Sequence, residues 1–293
     1  MPEQDDSLDR SVRWVLAQVR ERLQNAGIKT ASLDGRVLLA RAMNREQTWF
    51  YTNPDAPVWD VDLARFNEMV GRREQRIPVS HILGEREFWS RPFFVSSDVL
   101  TPRPDSETLI EAVLEHVSDR KKPLRILDLG TGSGCLLLTL LAELSEATGT
   151  GVDVSEAALS VAKRNAEQFG YEDRVSWVRG EWEVGLDCTF DVVISNPPYI
   201  ETSDLANLEP EVVTYEPRLA LDGGTDGLDA YRRILTHVGD VMEDGAAAFF
   251  EIGYGQAEEV SQIARDKGFE RHGILYDLSD TARVLSFIRA GFV

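Results

Sequence analysis

The sequence predicts an α/β fold, a doubly wound and mainly parallel sheet preceded by a small helical domain. Three observations carry this. From Leu124 onward short apolar runs alternate with helical stretches, the pattern of a sheet with helices on both faces. Residues 7–76 carry only helix-period patterns. Each segment that could bear chemistry falls at the C-terminal end of a strand-like run, where ligands bind in such sheets.

In the first region Leu8, Val12, Val15, Leu16, Val19 and Leu23 share one helical face, with Ser7 as N-cap and Gly27 as the stop. A second helix is expected over residues 32–43. A third covers 60–76, carries Leu63, Phe66, Met69 and Val70, and is ended by Pro78. Between residues 85 and 104, Phe88-Trp89 and Phe93-Phe94-Val95 flank Arg91-Pro92 and read as a hairpin linking two domains. Beyond it, strands are expected over 125–129, 150–154, 175–178, 190–195, 246–252 and 284–288. Helices are expected over 134–144, 155–169 (capped by Ser155), 228–242 and 256–267. The intervening stretch 200–228 is long for a loop in a compact domain, and long loops tend to be functional. It follows a candidate catalytic corner and is expected to border a substrate groove.

With 43% hydrophobic residues the chain can bury a sizeable core. No apolar run approaches the roughly 18 residues of a membrane span, and the acidic start Met1-Pro2-Glu3-Gln4-Asp5-Asp6 does not read as a signal peptide. Two cysteines, Cys135 and Cys188, argue against a disulfide framework and fit a reducing cytoplasm. The formal charge of −19 is unevenly placed: residues 1–80 hold 12 basic and 12 acidic side chains, so all of the excess lies beyond them. Nucleic-acid binding rests on neutralising phosphates with Lys and Arg, so no direct nucleic-acid partner is expected. The acidity also suits plain solubility or a salty habitat.

Asp128-Leu129-Gly130-Thr131-Gly132-Ser133-Gly134 follows a strand and opens a helix. Its glycines permit a tight turn and close approach to a ligand. No Gly-Lys-Ser/Thr follows, so it is not a P-loop, and glycines at every second position do not match the nicotinamide fingerprint. The next strand ends in Asp153, where a carboxylate can accept both hydroxyl hydrogens of a ribose. An adenosine-containing cofactor is implied, although an ordinary strand-to-helix turn with an N-cap aspartate would use the same residues. Glu181-Trp182 follows the third strand, where an acidic group can meet an adenine amino group and an indole can cover the base.

The strand 190–195 runs straight into Asn196-Pro197-Pro198-Tyr199. Two prolines fix the backbone and remove two donors. The corner is left rich in acceptors, the Asn196 side-chain oxygen and the Pro197 carbonyl, and an NH2 on a planar group could donate to both while Tyr199 packs over it. An amide nitrogen is a poor nucleophile because its lone pair is delocalised, so orienting it toward a sulfonium methyl is what such a corner can contribute. His81, His116, His237 and His272 are scattered without metal-ligand spacing, and no metal is expected.

This corner after a Gly-rich loop resembles that of amino-group methyltransferases acting on adenine, cytosine or glutamine amides. Gly84-Glu85-Arg86-Glu87-Phe88-Trp89, Thr101-Pro102-Arg103-Pro104-Asp105-Ser106-Glu107 and Tyr215-Glu216-Pro217-Arg218 narrow the resemblance to the HemK/PrmC family over essentially the whole chain. Those enzymes methylate the side-chain amide nitrogen (N5) of the glutamine in the Gly-Gly-Gln motif of class I peptide chain release factors. The resemblance implies a Rossmann-like methyltransferase domain with a seven-stranded sheet over residues 105–293, a hairpin linker over 85–104, and a helical bundle over 1–84 that recognises the substrate. It implies S-adenosyl-L-methionine as cofactor, with Gly130, Thr131, Gly132, Ser133 and Gly134 along its methionine part, Asp153 on the ribose and Glu181 and Trp182 near the adenine. Glu181 departs from the aspartate that relatives often carry. Asn196 would meet both cofactor and substrate, Asn196 and Pro197 would bind the glutamine amide, and Pro198 and Tyr199 would shape its pocket. Arg103 and Glu107 would order the entrance. Relatives that methylate a large-subunit ribosomal protein carry Arg-Ser-Pro where this chain has Arg103-Pro104-Asp105, so the resemblance favours release factors. Adenine-amino DNA methylation shares the corner but needs a basic groove and room for a flipped base.

Overall fold

The computed structural model describes residues 10–183 and 185–289. The chain divides into two units, Met1–Gly84 with Pro210–Tyr215, and Glu85–Glu209 with Glu216–Val293. Among the described residues no helix is long and apolar enough to cross a membrane.

The first unit holds α1 (Val12–Asn25), α2 (Ala31–Met43), α3 (Trp49–Thr52), α4 (Asp60–Glu74) and α5 (Val79–Leu83). Val12, Val15, Val19 and Leu23 pack with Leu38, Leu39, Phe66 and Val70 in one core. Ser7 and Leu8 lie outside the described residues. Ser11 caps α1, its Oγ accepting from Trp14 N. The helix starts there because the N–H groups of Val12 and Arg13, without partners inside a first turn, donate to Ala56 and Pro54 carbonyls. Helix α4 ends at Glu74 rather than 76, where Arg76 turns to φ 68°. The one-turn helices α3 and α5 are too short to leave a period in the sequence. Arg73 on α4 is buried and bonds Asp34 at 2.8 Å and Glu211 at 2.6 Å.

The second unit opens with the hairpin β1 (Glu85–Phe88) and β2 (Arg91–Phe94). Its turn is Trp89-Ser90, with φ 50° and 57°, the two-residue geometry that matches strand twist. Trp89 is therefore in the turn and Arg91-Pro92 inside the strand, the reverse of the sequence expectation. Pro92 is tolerated because the ribbon has only two strands, both edges. Phe88 and Phe93 enter the core of this unit beside Leu109 and Leu137.

Then follow α6 (Glu107–His116), β3 (Arg125–Leu129), α7 (Cys135–Glu143), β4 (Thr148–Asp153), α8 (Glu156–Phe169), β5 (Val175–Arg179) and β6 (Phe190–Ser195). After them α9 (Pro210–Tyr215) belongs to the first unit, and α10 (Asp229–His237), β7 (Met242–Glu251), α11 (Ala257–Asp266), β8 (Phe269–Tyr276) and β9 (Ala282–Arg289) continue the second. The seven strands lie in the order β5-β4-β3-β6-β7-β9-β8. Strands β3 to β7 are parallel to one another, and β9 runs antiparallel to its neighbours β7 and β8. Alternate residues feed two layers: Val192, Ile194 and Phe249 face one, Val193, Ala248 and Phe250 the other. Strand β8 and helix α6 have no counterpart among the segments read from sequence. Strand β8 is half exposed, carries Glu270, Arg271 and His272, and is bulged at Arg271/Gly273. An edge strand of this kind shows no clean alternation. Helix α10 stops at His237, short of 242, because a 3-10 turn, Val238–Val241, carries the chain into β7.

The chain builds β3, β4 and β5 toward one edge, then returns to place β6 on the other side of β3. This reversal is the switch point at which α/β sheets bind ligands. Leu129 and Ser195, the last residues of β3 and β6, are register partners, and Ser195 Oγ donates to Leu129 O at 2.7 Å. The Gly-rich loop and the Asn-Pro-Pro-Tyr corner thus leave the sheet side by side.

Candidate active site

From Leu129 the chain turns through Gly130, Gly132 and Gly134 with φ of 73°, 55° and 77°, a region L side chains rarely adopt. A Cβ on Gly132 would meet nothing within 4 Å, so its backbone borders open space. Gly132 N–H donates to Asp153 Oδ2, and Ser155 N–H to Asp153 Oδ1, both at 2.9 Å. Burial raises the pKa of Asp153, and these N–H groups oppose the rise. Thr131 Oγ1 donates to Asp128 Oδ2 at 2.6 Å. Asp128 itself is buried and burial pushes it up to about 7. Gly134 caps α7, packed against Trp177.

The loop after β5 brings Trp182 over Gly130, 3.6 Å from where a Cβ would stand. The indole Nε1 is buried without a hydrogen-bond partner among the described residues. Glu181 is exposed and pairs with Arg233.

At the end of β6, Asn196 is half-buried and its Nδ2 donates to Ser106 Oγ at 3.2 Å. Tyr199 O–H lies 3.3 Å from Glu251 Oε1, and burial raises the Tyr199 pKa. The Tyr199 carbonyl accepts from Gln256 Nε2 at 3.1 Å. A Cβ on Gly227 would fall 2.4 Å from that same carbonyl, so the returning loop can lie against the corner only through glycine. Glu251 closes β7, is 1% exposed, and is pushed up by burial to about 7.

A cavity of about 830 Å³ opens here, walled by Gly130, Thr131, Gly132 and Ser133 on one side and Asn196 and Pro198 on another. Asp153, Glu181, Trp182 and Arg103 complete the expected residues on its wall, and the size suits a drug-sized or cofactor ligand. Gly134, Pro197 and Tyr199 are not among the residues that line it. Arg103 bonds Glu216 at 2.6 Å, tying the strap after the corner to the segment before α6. Glu107 does not reach the cavity. Its carboxylate, at the start of α6, accepts from Trp89 N in the hairpin turn at 2.7 Å.

Residues 15–84 match the PrmC N-terminal domain family model, and residues 120–224 match a methyltransferase domain model. The release factor glutamine methyltransferase of Caulobacter vibrioides is 41% identical over 93% of this chain and 93% of its own length. That of Agrobacterium fabrum is 39% identical over 96% of this chain and 98% of its own. The chain belongs to the release factor glutamine methyltransferase family. A methyltransferase structure from Pyrococcus furiosus, 16% identical, covers 75% of this chain and 99% of that one with a TM-score of 0.52. That likeness concerns the fold alone.

Three buried groups hydrogen-bonded to these residues were not singled out as site residues from the sequence: Asp128 to Thr131, Ser106 to Asn196 and Glu251 to Tyr199. Glu251 had a signal, a carboxylate ending the apolar run 246–252, since a charge there must be paired or shifted. Ser106 had none, because its partner Asn196 is 90 residues away.

Proposed function

We propose that this chain transfers a methyl group from S-adenosyl-L-methionine to the side-chain N5 of the glutamine in the Gly-Gly-Gln motif of class I peptide chain release factors, in the cytoplasm. The observation that carries the reading is the position of Asn196: beside the Gly-rich loop at the switch point, on the cavity wall, with its Nδ2 engaged by Ser106.

The wall fits the cofactor. Gly132 leaves open space for a close approach, Asp153 offers a carboxylate for ribose hydroxyls, and the unpartnered Trp182 Nε1 belongs to a ring suited to cover an adenine. Gly130 to Gly134 would hold the methionine portion, and Glu181 the adenine amino group. The bound group supplies a methyl on a sulfonium. Asp153→Ala is expected to weaken cofactor binding about 100-fold, since hydrogen bonds to a charged group contribute about 1.5–3 kcal/mol each. Titration calorimetry would read this, and an affinity within threefold of wild type would remove Asp153 from the role.

Asn196 Oδ1 and the Pro197 carbonyl accept the two hydrogens of the glutamine NH2. Pro197 and Pro198 lack N–H groups, so neither can compete for those oxygens. Both hydrogen bonds strengthen as the nitrogen gains positive character, so they favour the transition state over the ground state. Holding the nitrogen in line can supply several kcal/mol more. Pro198 and Tyr199 shape the pocket, the Arg103–Glu216 pair orders the strap beside it, and residues 1–84 recognise the release factor away from the glutamine.

Unmethylated release factor, a large-subunit ribosomal protein and plasmid DNA, incubated side by side with enzyme and cofactor, separate the readings by mass spectrometry. Methylation of the release factor is the expected result. Transfer to DNA, against the charge of −19, would replace the reading.

A further inference from the structure

We propose that Gln256 is a positioning residue: its carboxamide clips the Asn-Pro-Pro-Tyr corner to the returning end of the strap, and so fixes where Asn196 and the Pro197 carbonyl stand for methyl transfer. This rests on the function proposed above and adds to it the group that holds the corner in place.

Pro197 and Pro198 have no N–H groups, so the backbone of the corner must be held at its two ends or through its carbonyls. Upstream, Ser195 Oγ ties the end of β6 to Leu129 O at 2.7 Å. Downstream, Ile200 N donates to Leu221 O at 3.1 Å, and Gly223 N to Ile200 O at 2.8 Å. These bonds pair the outgoing strap with its return. They leave the carbonyl of Tyr199 to be fixed, and a side chain does this.

Gln256 is the N-cap residue of α11, yet its side chain makes no capping hydrogen bond. Glutamine is also not among the residues preferred there, which are Ser, Thr, Asp and Asn. Its carboxamide is spent on the corner instead. Oε1 accepts from Gly253 N at 2.9 Å. Nε2 donates to Tyr199 O at 3.1 Å and to Gly227 O at 3.3 Å. Gly253 N–H can only donate, so it dictates which end of the amide faces it, and both Nε2 hydrogens are left for the two carbonyls. Among side chains, a carboxamide alone accepts at one atom and donates twice at another.

The surroundings are cut to this clip. A Cβ on Gly227 would fall 2.7 Å from Gln256 Nε2, and one on Gly253 would fall 2.8 Å from Gln256 Oε1 and 3.0 Å from Tyr199 Cδ2. A Cβ on Gly223 would fall 2.8 Å from Tyr199 Cα. The segment 251–256 thus holds Tyr199 at its hydroxyl through Glu251, at its ring edge through Gly253 and at its carbonyl through Gln256.

Tyr199, Gly227 and Gln256 are not among the residues that line the cavity, so the clip acts on position and not by contact with a ligand. A carboxylate at 256 has the same shape and no donor. It would set acceptor against acceptor at both carbonyls and drive the corner from the strap. A displacement of about 1 Å at a reacting group can cost about 100-fold in rate.

The test compares wild type, Gln256→Glu, Gln256→Met and Ser261→Ala, with helix content confirming that each is folded at the assay temperature. Ser261 is buried on α11, where its Oγ donates to Ala257 O at 2.6 Å, so Ser261→Ala loosens the same helix without touching the clip. Gln256→Glu is expected to lose about 100-fold in kcat, and Gln256→Met, which keeps the volume and lacks the opposed charge, about tenfold. KM for the release factor and cofactor affinity should stay within about threefold in both, and Ser261→Ala should keep kcat within about threefold. Should Gln256→Glu fail to fold, Gln256→Met decides by the same readings. A kcat within threefold of wild type in the folded Gln256 variants, a loss confined to KM or cofactor affinity, or an equal loss in Ser261→Ala would overturn the proposal. A wild-type enzyme that leaves the glutamine unmethylated overturns the function instead, so the two failures are distinguishable.

Discussion

Asn196→Ala is expected to lower kcat for glutamine methylation by about 1000-fold while the melting temperature and cofactor affinity stay close to wild type. The magnitude follows from the role: removing one preorganised polar partner of a reacting group costs about 10²–10³ in rate, and Asn196 also orients the nitrogen for in-line attack. Stability should change little, because the side chain is half-buried and, among the described residues, makes one hydrogen bond of 3.2 Å, to Ser106. Single-turnover mass spectrometry with calorimetry in parallel separates the effects. A variant that turns over within tenfold of wild type would remove the side chain from the chemistry, leaving only the Pro197 carbonyl.

The second large effect concerns stability. Arg73→Ala should destabilise the helical unit by about 3–5 kcal/mol, the usual result of removing one partner from a buried ion pair. The Arg73 side chain is 5% exposed and joins Asp34, 9% exposed, to Glu211, 16% exposed. Arg76 adds a second bond to Glu211 at 2.6 Å. Without Arg73, the Asp34 carboxylate keeps, among the described residues, the Thr30 hydroxyl at 2.8 Å. Burial pushes the Glu211 pKa up, but Arg73 and Arg76 outweigh it and hold it below the ordinary 4.5. A depressed acid contributes stability that is complete above its unfolded pKa and lost as pH falls through the folded one. The wild-type unit should therefore weaken on acidification below about pH 4.5, and Arg73→Ala should weaken less steeply there. Urea titration followed by helix content reads both, and a loss below about 1 kcal/mol, the scale of a surface pair, would contradict the buried network.

What the sequence made legible was local. The strand 190–195 is β6 to the residue, because a short apolar run ending in Asn-Pro-Pro cannot extend further. The Gly-rich loop and Asp153 were legible because a strand, a tight turn and a helix cap each leave a mark within a few residues. The hairpin turn was not, since nothing in Trp89-Ser90 advertises positive φ, and two non-glycine residues adopt it only because Phe88 and Phe93 are buried together. Glu107 was read with the site because it sits in the segment that carries the resemblance, yet α6 aims it at the hairpin. Ser106, its neighbour, reaches the corner instead. Which of two adjacent residues meets a strand 90 positions on is decided by helix phase and packing.

The corner at the switch point is expected to methylate a glutamine side-chain nitrogen. Fragmentation mass spectrometry of an unmethylated release factor, after incubation with this enzyme and S-adenosyl-L-methionine, tests it most directly. One added methyl is expected, located on the side chain of the glutamine in Gly-Gly-Gln and absent when Asn196→Ala replaces the wild type. An unmodified glutamine in a folded release factor, or a methyl on any other residue, would contradict it.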